Sequence, residues 1–159
     1  MTRKEQYNQL ILQIAGLIKD ETNLVGILAN VSAALHDAFP EHFFWVGFYL
    51  QENGNMLRLG PFQGSVACYV IPFGKGVCGK AWEEERTLIV PDVEKFPGHI
   101  ACSSLSRSEI VVPMYDDSHT FRGVLDIDST RLDDFNEDDK EGLERIIELL
   151  MAETQDLFQ

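Results

Sequence analysis

The run His42-Phe43-Phe44-Trp45-Val46-Gly47-Phe48-Tyr49-Leu50 decides the fold. It is aromatic and β-branched, which suits a half-buried pleated surface, and Asn53-Gly54 marks a tight turn before a second strand at Met56–Leu59. Successive side chains of a strand point to opposite faces. Phe44, Val46, Phe48 and Leu50 therefore share one face, and Trp45, Gly47 and Tyr49 share the other. Two later segments, Glu109–Tyr115 and Phe121–Asp128, divide in the same way and are joined through Asp116-Asp117-Ser118 as an antiparallel hairpin. Ile110, Val112, Met114, Leu125 and Ile127 fall on an apolar face, opposite a set containing Glu109, Val111, Tyr115, Val124, Asp126 and Asp128. One side of the sheet is thus a core, while the other carries a tryptophan, tyrosines and three carboxylates.

Outward from these strands, Val66–Ile71 and Leu88–Val90 read as further strands, with a short helix over Val77–Glu85 whose start is rich in glycine, at 74, 76 and 79. Tyr7, Leu10, Ile11, Ile14, Leu17 and Ile18 recur at spacings of three and four, which predicts a helix over Lys4–Lys19. Leu24 to Ala38 repeats the pattern before Pro40, and a last helix starts near Asn136 with Leu143, Ile146, Ile147, Leu150 and Met151 as its stripe. Strands bracketed by terminal helices predict an α+β domain. Its central antiparallel sheet has about six strands, and the N- and C-terminal helices pack on one face. The 159 residues fit one domain over 1–159, long enough for a core without disulfide staples.

The formal net charge of -13 repels nucleic acid and anionic membranes, so neither is expected as a partner. Met1–Gln9 precedes no apolar export segment, and no apolar run approaches the ~20 residues a bilayer requires. A cytoplasmic protein is expected. In that reducing compartment three cysteines do not form a closed disulfide framework, so they are buried fillers or working thiols.

The face with Trp45, Tyr49, Glu109, Asp126 and Asp128 has aromatic walls for an apolar group and acids for a cation. Clustered carboxylates are relieved by a bound ammonium group, or by keeping one of them protonated as an acid. Cys102 lies in the irregular segment from Pro91 to Arg107, beside Ser103 and Ser104, where it is accessible. Cys78 begins a short helix between Lys75 and Lys80, where dipole and charge favour the thiolate, which makes it a rival to Cys102 as the nucleophilic thiol. Cys and His pairs lack the spacing of a zinc knuckle, so no metal is expected; His99 reads as a surface loop residue, and His36, His42 and His119 receive no role.

The segments Gly60-Pro61-Phe62-Gln63-Gly64, Ala67-Cys68 and Ile71-Pro72-Phe73-Gly74-Lys75-Gly76-Val77-Cys78-Gly79 resemble the free methionine-(R)-sulfoxide reductase family. The likeness continues through Phe96-Pro97-Gly98-His99-Ile100-Ala101-Cys102, Ser108-Glu109-Ile110-Val111-Val112-Pro113 and Gly123-Val124-Leu125-Asp126-Ile127-Asp128-Ser129. It departs at Ser103, Leu105 and Arg107, where the family often has Asp and smaller residues. The resemblance implies a six-stranded GAF fold, usually a homodimer, that reduces free L-methionine-(R)-sulfoxide and serves under oxidative stress. It implies that Cys102 attacks the sulfoxide sulfur, that Cys68 or Cys78 converts the resulting sulfenic acid to a disulfide, and that thioredoxin restores the thiols. It also implies that Glu109, Asp126 and Asp128 bind the ammonium group and handle the oxygen, while Trp45 and Tyr49 hold the methyl end. No metal, flavin or nicotinamide cofactor is required. The competing expectation is a non-enzymatic GAF module that senses a small molecule or redox state.

Overall fold

A computed structural model describes residues 1–158. Two helices come first, α1 (Arg3–Ile18) and α2 (Leu24–Ala38), followed by β1 (Trp45–Glu52), β2 (Met56–Gln63) and β3 (Val70–Pro72). Then come α3 (Gly76–Glu84), β4 (Leu88–Val90), β5 (Ser108–Tyr115), β6 (Phe121–Ser129) and α4 (Glu137–Thr154), with short 3-10 turns at Val93–Lys95 and Gln155–Leu157. The six strands form one sheet in the order β3-β2-β1-β6-β5-β4, with every neighbouring pair antiparallel. This is the expected α+β architecture.

Both sheet faces are covered, by different elements. Val46, Phe48, Ile110, Val112, Met114, Leu125 and Ile127 pack beneath α1, α2 and α4 in the larger core. Trp45, Tyr49, Val111 and Val124 face the other way, into a smaller cluster closed by Val77, Cys78 and Ala81 of α3. The alternation therefore separates a structural face from a working face.

Capping fixes the ends of the outer helices. Thr2 and Glu5 form a reciprocal capping box on α1, as do Asn136 and Asp139 on α4, and each satisfies backbone N–H groups that the first helical turn leaves unpaired. Asp139 does more than cap: fully buried, it accepts from the Tyr7 hydroxyl and from Arg3 Nη1, both at 2.7 Å. The Tyr7 ring lies on Gly142, where an added Cβ would come within 2.6 Å of Cδ1. Thus α1 and α4 are joined by apolar packing and a buried charged network. No helix among the described residues is long and apolar enough to cross a membrane.

Three local readings are corrected. The expected strand over Val66–Ile71 shrinks to Val70–Pro72, because residues 64–69 leave the sheet edge as a loop that carries Cys68. Phe44 does not join the large core; Phe43 does, and Phe44 packs against the smaller cluster. The amides of His42 and Phe43 bond back to the Phe39 carbonyl, so pleated alternation begins only at Trp45. Tyr115 stands apart from the acidic face, because the register of β5 and β6 shifts between Met114 and Tyr115, and its ring stacks on His119.

Candidate active site

The register brings the polar residues of the working face into two rows. Asp128 pairs directly with Trp45 on one side and Glu109 on the other, and Asp126 pairs with Gly47 and Val111. Directly paired residues share a face. Three carboxylates from two strands therefore converge, and the Trp45 indole and Phe62 fill the space over Gly47 next to Asp126.

Trp45 is held from several directions. Its Nε1 donates to the Ser65 carbonyl at 2.9 Å, and its ring stacks on Phe62 at 5.1 Å and on Tyr49 at 5.9 Å. A Cβ on Gly47 or Gly64 would lie 2.6 Å from this indole, and Gly64 has φ +137°, so glycine is required on both counts. Tyr49 is buried and donates its hydroxyl hydrogen to the Cys68 carbonyl at 3.0 Å. Burial and the neighbouring acids keep that phenol protonated.

Cys68 and Cys102 form a disulfide, with Cα atoms 5.4 Å apart. Cys102 lines the cleft together with Trp45, Tyr49 and the three carboxylates. The remaining thiol, Cys78, enters from the first turn of α3 and is only 3% exposed. Here the sequence expectation fails. Cys78 faces Asp126 and Glu109 rather than the lysines; burial, followed by the charges of Asp126, Glu109 and Asp128, raises its pKa well above the ordinary thiol value. Nearby negative charge and a dry setting outweigh the helix terminus.

The same two forces act on the acids. Burial, then the charges of Asp126 and Asp128, raise Glu109 well above the usual carboxylate range. Asp128, half-buried, is raised chiefly by burial and then by Asp126. Burial raises Asp126 too, but hydrogen bonds from Glu109 and Cys78 pull it back. Asp126 is thus the group best supported as an anion, and Glu109 the one best suited to carry a proton. One oxygen of Asp126, Oδ1, is buried without a hydrogen-bond partner.

His99 is corrected as well, since it belongs to the cleft. Its Nε2 lies 4.0 Å from Glu109 Oε1, its side chain is 17% exposed, and burial lowers its pKa. The only signal in the sequence was the neighbouring Pro97-Gly98 turn, which swings the loop inward; Ile100 then packs against Gly76, whose φ is +61°. Of the other histidines, His42 pairs with Asp134 and His119 with Glu85, both away from the cleft. Sulfur of Cys78 and one carboxylate oxygen each of Glu109 and Asp126 lie within 4.8 Å of one another, a set able to hold a metal.

A six-stranded antiparallel sheet with helices on one face, and a ligand cleft roofed by a short helix on the other, defines a GAF domain. The family model described as GAF domain matches residues 21–152. The chain is 56% identical over 149 residues to GAF domain-containing protein A of Dictyostelium discoideum, covering 94% of this chain and 92% of that one. It is 43% identical over 155 residues to the free methionine-R-sulfoxide reductase of Saccharomyces cerevisiae, covering 94% and 86%. The solved structure of free methionine-R-sulfoxide reductase from Neisseria meningitidis, in complex with its substrate, matches with a TM-score of 0.93 at 46% identity, over 98% of this chain and 92% of that one. The chain belongs to the free methionine-R-sulfoxide reductase family of GAF domains.

Proposed function

We propose that this protein reduces free L-methionine-(R)-sulfoxide to L-methionine, with Cys102 as the attacking thiol and Cys68 as its resolving partner. The observation that carries this reading is the Cys68–Cys102 bridge, whose Cys102 lines the same cleft as Glu109, Asp126 and Asp128. Oxidation of two thiols by a sulfoxide ends in such a bridge, and the neighbouring acids suit the substrate's ammonium group.

In the first step the Cys102 thiolate forms a bond to the sulfoxide sulfur while Glu109 gives a proton to the oxygen. The hydroxyl passes to the Cys102 sulfur as the bond to methionine breaks, releasing methionine and leaving a sulfenic acid. The Cys68 thiolate then attacks that sulfur, and the oxygen leaves as water. Two thiols are oxidised and one sulfoxide is reduced, so the books balance. Asp126 and Asp128 bind the substrate ammonium, while Trp45 and Tyr49 enclose its methyl end. Cys78, buried and held protonated, serves the pocket rather than the redox pair.

Each turnover consumes one dithiol, and thioredoxin is the reductant whose chemistry fits an accessible two-cysteine bridge. The protein works as a homodimer in the cytoplasm, under oxidative stress. A reducing compartment keeps the thiols available, and exposed Leu12 and Val25 on α1 and α2 offer apolar contact surface. Reduced protein, thioredoxin, thioredoxin reductase and free L-methionine-(R)-sulfoxide should together consume NADPH. If none is consumed, the sensor function is favoured instead.

A further inference from the structure

Cys78 is the free thiol of the described chain, and its neighbours are those of a metal ligand rather than of a nucleophile. We propose that Cys78, Glu109 and Asp126 form a binding site for a thiophilic divalent cation of the Zn²⁺ class, with His99 or water in the fourth position. Its ligands are set by side-chain geometry, so the site does not depend on the reductase activity.

The three ligand atoms lie within 4.8 Å of one another. Tetrahedral zinc, with sulfur at ~2.3 Å and oxygen at ~2.1 Å, sets neighbouring ligand atoms about 3.5 Å apart, so the set closes by side-chain rotation of about 1 Å. His99 Nε2, 4.0 Å from Glu109 Oε1, stands next to the same position. The ligands come from α3, β5 and β6, whose packing against one another fixes their approach.

A second observation independently calls for a cation. Asp126 is 6% exposed, lines the cleft, and has an Oδ1 with no hydrogen-bond partner. A buried acceptor left unpaired requires a donor or a cation. No lysine or arginine is among the residues lining the cleft, so no fixed side-chain cation faces that oxygen. A divalent ion supplies two positive charges at that spot. Binding expels the Cys78 thiol proton and the Glu109 carboxyl proton to solvent, forming metal–thiolate and metal–carboxylate bonds with no change of oxidation state. Sulfur and imidazole select the zinc class over Mg²⁺ and Ca²⁺, which prefer shells of oxygen alone.

Cobalt(II) tests this directly on the oxidised chain, in which the Cys68–Cys102 bridge withholds both other sulfurs. Anaerobic Co²⁺ titration should produce a near-ultraviolet sulfur-to-cobalt charge-transfer band that saturates at about one equivalent, with release of protons into weak buffer. Zn²⁺ should bleach the band, and Mg²⁺ in roughly hundredfold excess should not. Cys78→Ser should lose the band, and Asp126→Asn should weaken Co²⁺ binding by about tenfold or more. No band with wild-type protein at millimolar Co²⁺, or a band that survives Cys78→Ser, overturns the proposal. Turnover of methionine sulfoxide in the presence of a chelator tests the reductase activity separately, so either can fail without the other.

Discussion

The Tyr49 hydroxyl donates to the main-chain carbonyl of Cys68, tying the rigid centre of the sheet to the loop that holds one half of the disulfide. Tyr49→Phe keeps the aromatic wall and removes only this tether, at a stability cost of about 1 kcal/mol. Release of methionine in a single turnover should stay within about twofold of wild type, while closure of the disulfide slows about tenfold, equal to ~1.4 kcal/mol of positioning. Rapid quench with mass analysis of the thiols separates the two steps. Equal slowing of both would contradict the tether.

The acids of the working face should make the empty protein less stable as pH rises. Their native pKa values lie above the unfolded ones, so the folded chain binds more protons in between. Stability from the protonated cluster is complete below about pH 4 and is lost as pH climbs through the raised values. Glu109→Gln removes part of that loss. At pH 8 it should melt about 3 °C higher than the parent, a gain of ~1 kcal/mol, with a flatter dependence of Tm on pH. Its turnover should fall about 100-fold or more for want of the acid. An unchanged slope of Tm against pH would remove Glu109 from the protonated set.

Cys78 should be slow to alkylate. In the oxidised chain it is buried and its pKa is raised, so its reaction with iodoacetamide near neutral pH should be about 100-fold slower than that of the unfolded chain. Rates approaching those of the unfolded chain would show that the N-terminal dipole of α3 prevails after all.

Removing Asp139 should destabilise the protein far more than removing either of its partners. Asp139→Ala strands the buried Tyr7 hydroxyl, opens the capping box of α4 and leaves Arg3 only its contacts with Asp134, and should cost about 3–5 kcal/mol, whereas Tyr7→Phe should cost ~1–2 kcal/mol. Urea denaturation of both single variants and the double variant gives the coupling. Additive losses would dissolve the network into independent contacts.

The period-two division of β1, β5 and β6 was sufficient to find Trp45, Tyr49, Glu109, Asp126 and Asp128 on one side, because strand alternation is a local property that register carries across the sheet. Loop geometry was not legible in that way. His99 and the pairing of Cys68 with Cys102 depend on how two irregular segments fold over the sheet, which no periodicity encodes. Cys78 shows the opposite error: its neighbours along the chain are lysines, but its neighbours in space are carboxylates, and space decides the charge it meets. Along the chain Asp139 is one of three acids in the first turn of α4, and only the approach of α1 reveals it as a buried anchor.

The bridge joins positions 34 residues apart, and within the loop it closes lie β3, α3, β4 and the irregular segment up to Cys102. A covalent link of that span lowers the entropy of the unfolded chain by an amount worth about 4 kcal/mol. With Cys68 and Cys102 as the redox pair, every catalytic cycle turns the polypeptide from a linear chain into a ring and back again. Heat and proteases should therefore find it most vulnerable in the interval when it is chemically ready to work.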